Sequence, residues 1–241
     1  MKHNILILVF LCLLNTSCNS INNQVSTDRI ADSSRAIKTQ SISSRLTSVI
    51  ANGKSAMEAN NLGFSYYKSG ELEKALSHYN KAIKLAPNFA TAYNNRAILY
   101  SKLGQLDKAL TDYNNAINKD SKYAEAYNNR GFLLYELGES EKAIIDYNQS
   151  IEINPELAIA YYNRGTFYRK EKQRELALRD LNKTIELDFK FADAYLQRGI
   201  LFYQEKNIVD CKKNWEKAKE LYLQAGNQQK SSQVKQYINQ L

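Results

Sequence analysis

From residue 56 to 225 apolar and polar positions recur with a helical period, in runs too short and too evenly spaced for one long helix. The stretch AYNNRGFLLYELGESEKAIIDYNQSIEINP, residues 126–155, shows the unit: an apolar-periodic run, a polar break at 137–140, and a second run closed by Pro155. Each run predicts a helix, A and then B, joined by a tight turn. Gly70, Gly104 and Gly138 share one place in the break, which suits a helix end that needs positive φ. Pro87 and Pro155 stand where helix B must stop. Lys172 and Lys206 replace the glycine in later units, and Phe189 and Leu223 replace the proline, so the later turns are expected to be less regular.

The register comes from residues that recur at a fixed spacing. Tyr93, Tyr127, Tyr161 and Tyr195 are 34 residues apart, and so are Arg96, Arg130, Arg164 and Arg198. Extended backwards, this gives five units: 56–89, 90–123, 124–157, 158–191 and 192–225. A spacing kept this long indicates stacked supersecondary units. Position eight of the units reads Gly63, Ala97, Gly131, Gly165, Gly199, and position twenty reads Ala75, Ala109, Ala143, Ala177, Cys211. Small residues at fixed offsets let two helix axes come close. Tyr79, Tyr113, Tyr147, Leu181 and Trp215 at position twenty-four fill the seam. Each hairpin then leaves an apolar flank that only its neighbour can cover, which makes stability cooperative. Over 226–241, Val234, Tyr237, Ile238 and Leu241 fall at helical spacing, as in a capping helix. Composition agrees: 9 glycines and 2 prolines in 241 residues are too few for a many-turned β fold, and the class is all-α.

The 34-residue period, the aromatic at position four, small residues at eight and twenty, the tyrosine near twenty-four and proline at thirty-two resemble the tetratricopeptide repeat (TPR) family, over 170 of the 241 residues. The resemblance implies a right-handed α-solenoid of five hairpins plus the cap, working as a non-catalytic scaffold that holds a protein or peptide in a concave groove. At about 100° per residue, positions two, five, six, nine, twelve and thirteen of helix A fall on the groove side. The resemblance places there the amides Asn61, Asn95, Asn129, Asn163 and Gln197, and beside them Phe64, Phe132, Tyr67, Tyr135 and Tyr203. An amide both donates and accepts, so such a row either pairs with an extended peptide backbone or only supports packing. The arginines at position seven are assigned to packing between repeats. TPR domains that clamp a terminal carboxylate carry Lys or Arg at positions two and six; Glu125 and Asp193 at position two argue against that clamp.

The first residues follow other rules. Lys2 and His3 precede the apolar run 5–14, too short for a bilayer, and small polar residues follow, as in an export signal. LLNTSCNS at 13–20 resembles the lipobox of bacterial lipoproteins, with 1–18 as signal and Cys18 as the lipidated (palmitate-bearing) residue; Asn15 stands where the family usually has leucine. Ordinary cleavage to a soluble periplasmic product is the alternative. Asn19, not aspartate, follows Cys18, which in some enteric bacteria favours the outer membrane. Residues 19–55, rich in Ser, Asn and Thr, read as a tether with a weak helix within 30–50.

Little in the sequence carries chemistry. His78 stands alone on a helix, no Cys/His spacing suggests a metal, no glycine-rich loop suggests a phosphate, and Glu139 and Glu141 read as helix-start charges. No catalytic residue, cofactor or metal is expected, and Cys211 is expected to be an inert core thiol. The net charge of +8 is spread, and its densest run, 168–180, is interleaved with acids, so a solvated face is expected rather than nucleic-acid binding. The expected function is an exported, membrane-anchored adaptor of the cell envelope; the rival is a self-associating structural component, a homo-oligomer.

Overall fold

A computed structural model describes residues 25–241, with side chains described from Leu46 onward. The segment 1–18 read as an export signal, with Cys18, and Asn19 after it lie outside the described residues. All regular structure among the described residues is helical: α1 (Val25–Ser69), α2 (Leu72–Leu85), α3 (Ala90–Lys102), α4 (Leu106–Lys119), α5 (Ala124–Glu136), α6 (Ser140–Ile153), α7 (Ala158–Lys170), α8 (Arg174–Leu187), α9 (Ala192–Gln204), α10 (Ile208–Gln224) and α11 (Gln228–Ile238). Two compact units divide between Ala51 and Asn52. In the first, the described residues form the start of α1. No proline interrupts 25–69, so the segment expected to hold a weak helix joins helix A of the first hairpin as one helix of 45 residues.

In the second unit, helix pairs α3/α4, α5/α6, α7/α8 and α9/α10 repeat one packing pattern, and α2 closes the first hairpin against the end of α1. Position eight meets position twenty-four. A Cβ on Gly63 would come within 2.7 Å of the Tyr79 ring, and one on Gly131 within 3.1 Å of Tyr147. The tightest approach is at Gly199, where a Cβ would lie 2.4 Å from the Trp215 indole. Position twenty is fully buried in every unit, from Ala75 to Cys211.

Two further positions do as much, and the sequence reading passed over them. Position three (Ala92, Ala126, Ala160, Ala194) and position ten (Leu99, Leu133, Phe167, Leu201) are buried from the second unit on. In the first unit these positions read Glu58 and Ser65, both exposed. Repeat arrays need polar outer faces at their ends, and Glu58 and Ser65 make this one partly polar, with Leu62 exposed between them. At the other end α11 covers the last hairpin: Val234 is buried, and Tyr237 and Ile238 pack on Cys211, Trp215, Ala218 and Tyr222. Lys230 and Tyr222 both donate to Asp193, at 2.8 and 2.6 Å, fastening the cap to α9.

The turns depart from expectation. Lys172 and Lys206 take φ of 59° and 60°, the same left-handed conformation as Gly70, Gly104 and Gly138. The closing bonds are conserved in kind: Gln173 N to Tyr168 O at 2.8 Å repeats Glu139 N to Leu134 O at 2.8 Å. The later turns are therefore as regular as the earlier ones, because the packed helices on both sides fix the backbone. Helix B likewise ends in place without proline in the second and fourth units. Asp120, Asn154 and Asp188 at position thirty-one accept from the amide two residues on, at 2.9, 3.1 and 2.9 Å. Where position thirty-two is Leu223, helix B runs on to 17 residues instead of 14.

Two stability changes of opposite sign are expected. Gly199→Ala should lower unfolding stability by about 1–3 kcal/mol, since the indole cannot yield without repacking. Lys172→Gly should raise it by roughly 1 kcal/mol, the left-handed penalty of an L-residue less the entropy glycine loses. Urea unfolding followed by circular dichroism measures both.

Candidate partner-binding surface

Helix A carries two rows of candidate residues in the second compact unit, one of amides and one of aromatics. Asn95 Nδ2 donates to Asn60 Oδ1 at 3.0 Å, Asn129 to Asn94 at 3.1 Å, and Asn163 to Asn128 at 2.9 Å. Position six of each hairpin thus reaches back to position five of the one before. The acceptors Asn60, Asn94 and Asn128 are buried, which corrects the placing of position five on an open face: it lies in the seam between successive A helices. Each position-six amide spends one of its two N–H groups this way. Asn61 is exposed, with no earlier hairpin to meet, and Gln197 falls outside the series because position five of the fourth unit is Tyr162.

The aromatics divide. Phe64, Phe132 and Tyr203 are half exposed, at 50, 52 and 50%. Tyr67 and Tyr135 are partly covered, each under a lysine of the next hairpin: Lys102 Nζ lies 4.8 Å from the Tyr67 ring and Lys170 Nζ 4.9 Å from Tyr135. Asn129 and Phe132 come together in one cleft of about 550 Å³, among α3, α4 and α5, with Ile98, Tyr113, Leu133 and Glu136. That cleft offers an apolar wall, a free amide N–H and a carboxylate to one ligand.

Beneath these rows sits the arginine of position seven. Arg96 grips Asp112 of its own helix B with Nε and Nη2, at 2.6 and 2.8 Å, while Nη1 donates to Asn80 of the preceding helix B at 2.6 Å. Arg130 does the same with Asp146 and Asn114, and Arg164 with Asp180 and Asn148. The tyrosine of position four caps each guanidinium, with ring centres 5.5–5.7 Å away. Burial alone would push Arg96 and Arg164 down, and the hydrogen bonds and charge of their aspartates raise them instead. At Arg130 the hydrogen bonds to Asp146 are the largest influence, and the direction is again up. The sequence singles out the arginine alone at first reading; Asp at twenty-three and Asn at twenty-five were missed, and their shared 34-residue spacing is the signal that could have found them.

Residues 63–104 and 99–138 match a family model described as TPR repeat, and residues 124–157 and 158–191 match models described as tetratricopeptide repeat. Together the matches run from 63 to 191, more than half the chain. It belongs to the tetratricopeptide repeat family. Solved TPR structures share the fold. PilF of Pseudomonas aeruginosa superposes with a TM-score of 0.66 at 19% identity, over 79% of this chain and 93% of that one. PilW, described as a type IV pilus biogenesis factor, gives 0.63 at 19% identity, over 76% and 91%. YrrB, described as a TPR protein with an unusual peptide-binding site, gives 0.55 at 21% identity, over 81% and 97%. No curated protein matches the sequence.

The remaining candidates of the TPR array take structural places. His78 stacks on Tyr66 at 5.2 Å and occupies position twenty-three of the first unit, where position seven is Leu62 rather than arginine. Cys211 is fully buried, and burial pushes its thiol up to about 11. In the basic run, Arg174 pairs with Glu205, and Arg179 lies 3.7 Å from Asp180.

Removing the acid from one clasp should expose its worth. Asp146→Ala leaves Arg130 partly buried without its carboxylate and is expected to destabilise by about 3–5 kcal/mol in chemical denaturation, and Arg130→Ala/Asp146→Ala together should cost less than the sum of the two single changes.

Proposed function

We propose that this TPR protein is a non-catalytic scaffold of the bacterial cell envelope that holds a peptide or partner segment along the A helices. The observation that carries this reading is the cleft shared by Asn129 and Phe132: an exposed ring beside an amide with one N–H unspent. An extended peptide could accept from that N–H through any of its carbonyls, while Phe64, Phe132 and Tyr203 would bury side chains of the ligand. Tyr67 and Tyr135, already beneath lysines, would line the same row. Asn61, Asn95 and Asn163 would extend the backbone contacts, and Gln197 would end them. Envelope location rests on the export signal and on lipid at Cys18, which would hold the chain at a membrane without a spanning helix. Among the described residues no helix is long and apolar enough to cross a membrane. PilW, described as a type IV pilus biogenesis factor, lends this reading support by likeness of fold.

Site-specific photocrosslinking separates the row from the rest of the surface. A crosslinker at 132 or 203, in cells, is expected to capture a discrete partner, and one at Ile145, exposed on α6, is not. Capture of the same bands from all three positions, or from none, would sink the groove reading. Cys18→Ser is expected to abolish palmitate labelling and release the chain from membranes.

A further inference from the structure

The arginine clasp is broken in the last hairpin, and in one half only. The first unit lacks both partners, with Leu62 and His78 in their places. The last keeps Arg198 but has Asn214 where the three preceding hairpins have aspartate. Arg198 still reaches across the same three helices: Nε donates to Asn214 Oδ1 at 2.8 Å and Nη1 to Asn182 Oδ1 at 2.7 Å. The Asn214 amide is itself held, donating to Asp210 O at 2.8 Å. Nη2 has no acceptor among the described residues, although in the three complete clasps it meets a carboxylate oxygen at 2.7–3.0 Å. What is missing is one negative charge and one planar oxygen acceptor.

The space beside Arg198 is enlarged as well. A cleft of about 760 Å³ opens among α8, α9 and α10, against about 330 Å³ at Arg130 and about 270 Å³ at Arg96. Four cations line it: Arg198, Lys213, Lys217 and Lys219. Its three acids already have partners, two of them among these same lysines. Asp210 accepts from Asn207 Nδ2 at 2.7 Å, Glu220 pairs with Lys217 at 3.0 Å, and Glu216 pairs with Lys219. Arg198 and Lys213 are left without a carboxylate among the described residues. Burial outweighs the opposing pull of Tyr195 and of the Asp210 charge and holds the Arg198 guanidinium below its ordinary value, opposite to its three counterparts.

We propose that this cleft binds a carboxylate ligand, which takes the place of the absent aspartate on Arg198 Nη2 and draws the Lys213 ammonium to its second oxygen. Guanidinium and carboxylate match in plane and spacing, and charge-assisted bonds of this kind are among the stronger polar contacts. The site shares no residue with the amide and aromatic rows, so it stands or falls apart from the groove reading.

Isothermal titration of the full chain at fixed ionic strength tests this, with succinate as one probe and a blocked tri-glutamate peptide as the other. Saturable binding of one equivalent is expected for at least one of them. Succinate alone would identify a small-molecule acid, and the peptide alone an acidic segment of a protein. Asn214→Asp restores the clasp found in three other hairpins; it is expected to raise the melting temperature and weaken binding about tenfold or more. Arg198→Gln should lose binding without that gain. No saturable binding of either probe, or binding undiminished in Asn214→Asp, overturns the proposal.

Discussion

Three helices meet at each buried guanidinium, and the repeat array depends on that junction for its register. The apolar seam of alanine, leucine and tyrosine is cohesive but has little direction, and neighbouring hairpins offer similar surfaces. A seam of that kind holds helices together without fixing how far one slides along the next. The guanidinium does fix it, since its fork must meet a carboxylate on one helix and an amide on another with a ring above its face. Replacing a buried ion pair by apolar side chains is often neutral or favourable in energy, so its worth here lies in specificity. The amide bonds between successive A helices repeat the lesson on the other side of the hairpin.

Much of this was legible in the sequence because a fixed spacing multiplies a weak signal. One Gly-Tyr pair says little; five small residues facing five large ones, always sixteen apart, describe a packed helix pair. The hairpins and the cap were therefore readable, and so was the seam. Besides positions three and ten, two kinds of feature escaped. Position five looked like an open face because helical angle alone cannot tell which neighbour covers an arc, and Asn94 and Asn128 lie under the next A helix. The lysine turns looked irregular because local preference was weighed without the helices on either side, which impose a positive φ on Lys172 as readily as on Gly138.

The candidate surface was harder to read for a related reason. The row Asn95, Asn129, Asn163 was visible as a row, yet nothing in the sequence shows that each amide is already half spent on its neighbour. Pairing partners 35 residues apart cross from one unit to the next, and a reading aligned by units conceals them. The same row serves cohesion with one N–H, and in the proposed reading the other is left for a ligand.

Trp215 has a consequence of its own. It is the one tryptophan in the chain, and it lies in the last hairpin, wedged over Gly199 and flanked by Tyr203 and Tyr237 at 5.7 Å. Its emission therefore reports one end of a one-dimensional stack, while far-ultraviolet signals average over all of it. Should the stack fray from either terminus, the two spectroscopic transitions would separate, and their order would tell which end lets go first.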